Sequence, residues 1–226
     1  MTKYFKNLED SLRGGINQIL EHPFLQRIAD ASLTKSQLQY FAKQYSIYCY
    51  YFPRFLAATA ANIPYDEARM PIIENLWEEH GEGKMSKSHR TLYNSFAASL
   101  GVSADELKQA QPLASTQACV TTLFDLCLNG SFIESLGALG PGTEFFTSEE
   151  YSIIANGLAK YDFLTDEDIE FWTVHISLDE THYSEMVDIL VPYADSKENR
   201  DLIREGAEAA IELELSFWDG LEQYLD

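Results

Sequence analysis

His175-Ile176-Ser177-Leu178-Asp179-Glu180-Thr181-His182 is the stretch that decides the reading of this chain. Its two histidines and one aspartate stand at i, i+4 and i+7. At about 100° per residue, those positions fall within roughly 60° of one another on one face of an α-helix. Ile169, Trp172, Ile176, Tyr183, Met186 and Leu190 form an apolar stripe close beside that face, so the three polar residues point inward. Two imidazoles and a carboxylate are a donor set suited to iron, manganese or zinc. The chain has only five histidines, and two of them fall here.

Working outward, the next signal lies upstream, in Glu78-Glu79-His80-Gly81-Glu82-Gly83 followed by His89. Glu82 and His89, seven apart, nearly eclipse on an ideal helix, whereas Glu79 and His89, ten apart, sit about 80° out of line. Gly81 and Gly83 would make a local unwinding cheap enough to bring Glu79 and His89 together. Glu78 reads as part of an acidic, solvated helix face. A third candidate is Glu144, just past Gly140-Pro141-Gly142, with Glu134 as its competitor. A metal pair in a helical bundle needs bridging carboxylates from facing helices, and either acid would complete one.

The rest of the chain reads as helices with short joints. Tyr4 to Ile19 carries helical spacing that His22-Pro23 ends. Thr34 caps a long helix that Pro53 should kink. Further helices are expected over 66–100, interrupted at 81–83, then 115–139, 148–160, from the capping-box-like Thr165–Asp168 to Pro192, and 196–224. Gly140-Pro141-Gly142 should break the chain. No stretch alternates as a strand does. The expected fold is all-α, a single domain over 1–226 built as a bundle of about seven helices.

Composition narrows the function classes. The formal net charge of −20 and the pI near 4.5 repel phosphate backbones and anionic lipid, which excludes nucleic acid and membrane surfaces as expected partners. Cys49, Cys119 and Cys127 are odd in number and form no CxxC, so they read as thiols in a reducing compartment. The charged N-terminus shows no secretory signal, and a cytoplasmic location is expected.

The blocks NLWEEHGEG with His89, LYNSFAASLGVS, GTE with IIANGL, and HxxxDxxH resemble the haem-oxygenase-like di-iron oxidases, related in fold to TenA and PqqC proteins. The resemblance covers nearly the whole chain. It implies the metal ligands Glu79, His89, Glu144, His175, Asp179 and His182, with Glu79 in place of the Glu82 that ideal helix geometry selects. Glu79 and Glu144 would also take part in catalysis. The implied cofactor is a pair of Fe(II) ions, with manganese possible and dioxygen as co-substrate. The implied partners are a small-molecule substrate and a second copy of the chain. Three departures narrow the activity. N-oxygenating members use a further carboxylate from the preceding helix, but 40–62 contains no Asp or Glu. Members that sacrifice their own side chains to make para-aminobenzoate use a tyrosine and a lysine where this chain has Leu25 and Ile154. TenA-type hydrolases lack the metal set and use a cysteine, for which Cys127 is the nearest candidate, and the six ligand matches here count against that activity. The expectation is oxidation of a small amino acid or fatty acid by hydrogen abstraction, giving desaturation or C–C cleavage. An N-oxygenase, a non-catalytic metal- or partner-binding module, and a haem protein using His22 are the alternatives. Arg54 could clamp a substrate carboxylate, and Tyr45 and Tyr48 could donate hydrogen bonds to it.

Overall fold

The computed structural model describes residues 2–225; the side chains of 177–180 lie outside the described residues. Eleven α-helices account for most of this span, with no strand among the described residues. Low glycine and proline content explains the length of the helices, and capping explains where several begin. Helix α1 (Lys3–Leu20) buries the expected stripe of Phe5, Leu8, Leu12, Ile16 and Ile19. His22 then caps α2 (Pro23–Ala29). Thr34 and Gln37 form a reciprocal capping box on α3 (Lys35–Asn62), which runs through Pro53 unbroken.

The expected helix over 66–100 is two helices, α4 (Asp66–Glu79) and α5 (His89–Ser99), joined by two 3-10 turns. Gly81, Glu82 and Gly83 all have positive φ, and a Cβ on Gly81 would meet the Ser88 nitrogen at 2.6 Å. The glycine pair therefore reverses the chain where a helix would have continued. Ser103 caps the short α6 (Ala104–Gln109). The expected helix over 115–139 is likewise split, into α7 (Ala114–Asn129) and α8 (Phe132–Leu139).

Gly140-Pro141-Gly142 does not break the chain. It forms a π-helical turn, Gly140–Glu144, that leads directly into α9 (Phe145–Leu158). A Cβ on Gly142 would lie 2.8 Å from the Ala207 Cα, so glycine lets this turn press against the last helix. Thr165 and Asp168 exchange capping hydrogen bonds as expected, but regular α-helix starts only at Glu170, in α10 (Glu170–Leu190). Helix α11 (Lys197–Leu225) closes the bundle against α8, α7 and α1. Eleven helices replace the expected seven because loops as short as two residues divide runs of continuous periodicity. Phe41, Tyr45, Trp172 and Trp218 stack at the centre of the core, and both indoles are fully buried. No helix among the described residues is long and apolar enough to cross a membrane.

Candidate metal centre

Four elements, α4, α5, the π-turn and α10, converge on one point in the bundle. Helix α4 ends on Glu79, and Ser88 caps α5 so that His89 is its first residue. The reversing turn between them brings the two side chains together: His89 Nδ1 lies 2.8 Å from Glu79 Oε1. His175, on α10, places its Nε2 4.0 Å from the same oxygen, and its ring centroid is 4.1 Å from that of His89. One ligand atom from each of Glu79, His89 and His175 lies within 4.8 Å of the others, and all three residues are buried. Glu82, the choice of ideal geometry, is exposed in the turn with φ 52°.

Glu144 comes from the π-turn and His182 from α10, one turn and more beyond His175. His182 Nδ1 lies 3.8 Å from Glu144 Oε1. The side chain of Asp179 lies outside the described residues. Glu134 is not among the residues that line this region.

Each imidazole of α10 is oriented through its other nitrogen. His175 Nδ1 donates to the Phe171 carbonyl at 2.6 Å, which leaves Nε2 as the lone-pair donor toward Glu79. His182 Nε2 lies 2.8 Å from Glu78 Oε2, which leaves Nδ1 facing Glu144. Such outer hydrogen bonds select the tautomer and the aim of a metal-binding histidine. Glu78, read from sequence as solvated, is thus half-buried and holds a candidate ligand. No spacing rule marks it, because its partner is 104 residues away.

Electrostatics agree with this division of roles. Burial alone would raise the Glu79 carboxyl, but the hydrogen bond from His89 and the nearby imidazoles outweigh it and hold Glu79 below its ordinary value. Burial works to lower His89, and the Glu79 hydrogen bond and charge outweigh that and raise it. His175 is pushed down to about 4 by burial and by His89, so it is neutral and ready to donate at neutral pH. Three buried donors of the carboxylate and imidazole type fit a hard-to-borderline divalent cation such as Fe(II).

A cavity adjoins these residues. Tyr45, Tyr48, Cys49 and Phe52, at i, i+3, i+4 and i+7 on α3, line one side. Glu144, Thr147, Glu150 and Tyr151 line another, and Glu214 of α11 completes it. Tyr45 donates its hydroxyl to Tyr151 at 2.8 Å. Arg54 is not brought here. Nine residues past Tyr45 is about 180° around the helix, and Arg54 is exposed, stacked 4.2 Å over the Tyr50 ring. His22 does not present an open nitrogen for haem. Its Nδ1 accepts from Phe24 N and its Nε2 meets Asp219. Cys127 is buried away from the cavity lining.

Buried carboxylates and imidazoles that converge beside an aromatic cavity in a helical bundle are a donor set that could hold a metal ion. The chain belongs to a family of iron-containing redox enzymes, whose profile matches residues 39–215. Among curated relatives, the 4-aminobenzoate synthase of Nitrosomonas europaea is 31% identical over 98% of this chain and 92% of its own length. The 4-chloro-allylglycine synthase of Streptantibioticus cattleyicolor is 28% identical over 90% of this chain and 77% of its own. Among solved structures, a TenA homologue from Pseudomonas syringae superposes with TM-score 0.84 at 15% identity, covering 98% of this chain and 93% of that one. A CADD-like protein from Nostoc punctiforme gives 0.82 at 21% identity, covering 98% and 96%. These likenesses bear out the haem-oxygenase-like all-α fold and make the chain an oxidoreductase.

Proposed function

We propose that this protein is a non-haem di-iron, dioxygen-dependent oxidase. Its substrate would be a small amino acid or fatty acid, and abstraction of hydrogen would lead to desaturation or C–C cleavage. The observation that carries the reading is the convergence of Glu79, His89 and His175 within 4.8 Å, with Glu144 and His182 next to them and an aromatic cavity alongside. Iron held there would supply the activation of dioxygen.

The residues around it would do the rest. Glu79 and Glu144 would help to hold the cations and neutralise their charge, with Asp179 completing the set. The Phe171 carbonyl and Glu78 would keep the two α10 imidazoles aimed. The rings of Tyr45, Tyr48 and Phe52 would hold the substrate and exclude water, which keeps the reacting carbon close to the oxidant.

Two features favour carbon oxidation over the activities of other relatives. At the positions where para-aminobenzoate-forming members carry a tyrosine and a lysine, Leu25 and Ile154 are fully buried hydrocarbon here and cannot be consumed in that way. The cavity face of α3 carries Cys49 and no carboxylate, so the further ligand of the N-oxygenating members is missing. The Streptantibioticus relative is a 4-chloro-allylglycine synthase, and formation of an alkene-bearing amino acid is of the proposed type.

Reaction of the Fe(II)-loaded protein with oxygen-18 in the presence of candidate acids, followed by mass spectrometry, tests this. An alkene or a shortened carbon skeleton is expected. A product with a labelled N–O bond would refute it.

A further inference from the structure

The wall of the cavity away from the imidazoles holds two acids that the metal centre does not use. Glu150, on α9, is buried, and Trp218 donates its indole N–H to Glu150 Oε1 at 2.9 Å. Glu214, on α11, lines the same cavity and hydrogen-bonds to Glu150 and Trp218. Two carboxylates in mutual hydrogen-bonding contact share a proton. Burial pushes Glu214 up to about 7, so near neutral pH Glu214 can hold a proton in its hydrogen bond to Glu150.

A second, independent feature points the same way. The rings of Tyr45 and Tyr48 stand beside the pair, 5.8 Å apart, and both tyrosines line the cavity with it. A ring face next to a carboxylate is the environment that attracts an organic ammonium. The cavity lining includes no lysine or arginine among the described residues, and Arg54 lies on the opposite side of α3. A substrate carboxylate would therefore find no counter-charge on this wall, and two acids would repel it.

We propose that Glu150 and Glu214, with Tyr45 and Tyr48, form a recognition subsite for a protonated amine, so that the substrate is an amino acid or amine and not a fatty acid. The ammonium sits between the carboxylates and the ring faces, taking the place of the shared proton. The carbon chain then extends along the cavity toward Glu79 and His175. This deepens the oxidase reading and rests on it for the identity of the cavity.

The test is anaerobic calorimetric titration of the Fe(II)-loaded full chain with hexylamine, hexanoate and norleucine, with dioxygen uptake followed afterwards in the same samples. Hexylamine and norleucine should bind at least about tenfold more tightly than hexanoate. Glu214→Gln and Glu150→Gln should collapse that ratio while iron content stays unchanged. The ratio separates recognition from damage, because a merely structural defect weakens all three ligands alike. The proposal is overturned by hexanoate binding as tightly as hexylamine, by variants that keep the ratio or weaken all ligands equally, or by no binding of either amine. Amine selectivity without dioxygen uptake supports this subsite and counts against hydrogen abstraction. Oxidation of hexanoate without amine selectivity does the reverse.

Discussion

His175 and His182 stand on the same helix, seven residues apart, and are held in different ways. His175 is oriented by a carbonyl of its own helix, four residues back. That bond is written into any α-helix that places a histidine at this rotamer. His182 is oriented by Glu78 on α4, across the bundle. In the first half of the centre, one reversing turn joins Glu79 to His89 and a carbonyl of its own helix aims His175, so only the approach of α10 to α4 and α5 is tertiary. The second half, Glu144 and His182, depends on how α4, α10 and the π-turn pack. Identical residues at equivalent helical positions can thus differ in what their aim depends on.

The sharpest way to break the contrast is to delete each imidazole. His175→Ala should reduce iron from roughly two per chain to one or none, and His182→Ala should do the same. Full iron content in both variants, by elemental analysis, would show that neither half holds metal. The next largest effect separates the competing acids. Glu79→Ala should lower turnover by about a hundredfold or more, since it removes a ligand at the buried site, while Glu82→Ala stays within about twofold. The reverse order would place the first ligand in the turn.

Glu78→Gln sharpens the comparison further. It removes the carboxylate that aims His182 and leaves His175 and its carbonyl untouched. Iron affinity should fall by about 10–100-fold at one of the two sites only, seen as a biphasic titration. A single uniform loss would mean that the halves are not independently held.

The smallest effect is expected at Glu214, which faces no imidazole. Its carboxyl is lifted from 4.5 to about 7 by burial. A group raised on folding contributes stability fully below its unfolded value and loses it as pH climbs through the folded one. The metal-free protein should therefore lose stability between pH 4.5 and 7 relative to Glu214→Gln. The difference in Tm should change by about 2–4 °C or more. A pH-independent difference would show that Glu214 ionises normally.

The same contrast explains how much was legible in the sequence. His175 and His182 were readable because helical spacing alone aligns them. The capping residues Thr34 and Thr165 were readable because a cap is a local hydrogen bond. Glu79 was not readable from ideal geometry, since 80–88 is not a helix, and only resemblance to a family selected it over Glu82. Glu78, Glu150 and Glu214 were missed. Each is one of several acids in its stretch, and only tertiary contact tells Glu214 from the exposed Glu212 beside it. Arg54 lies off the cavity because nine residues from Tyr45 carry it to the other side of α3.

The reversing turn between α4 and α5 would set how long the proposed centre keeps a metal. Its backbone bonds are local, Lys84 N to Gly81 O at 2.8 Å and Lys87 N to Lys84 O at 2.7 Å, and residues 82–87 are exposed. Such a segment opens without disturbing the core, at far lower free energy than global unfolding. Glu79 and His89 flank it, so each opening separates two donors at once. Ion release should then keep time with amide exchange at 81–87, and a chelator would strip the site from protein whose core amides remain fully protected.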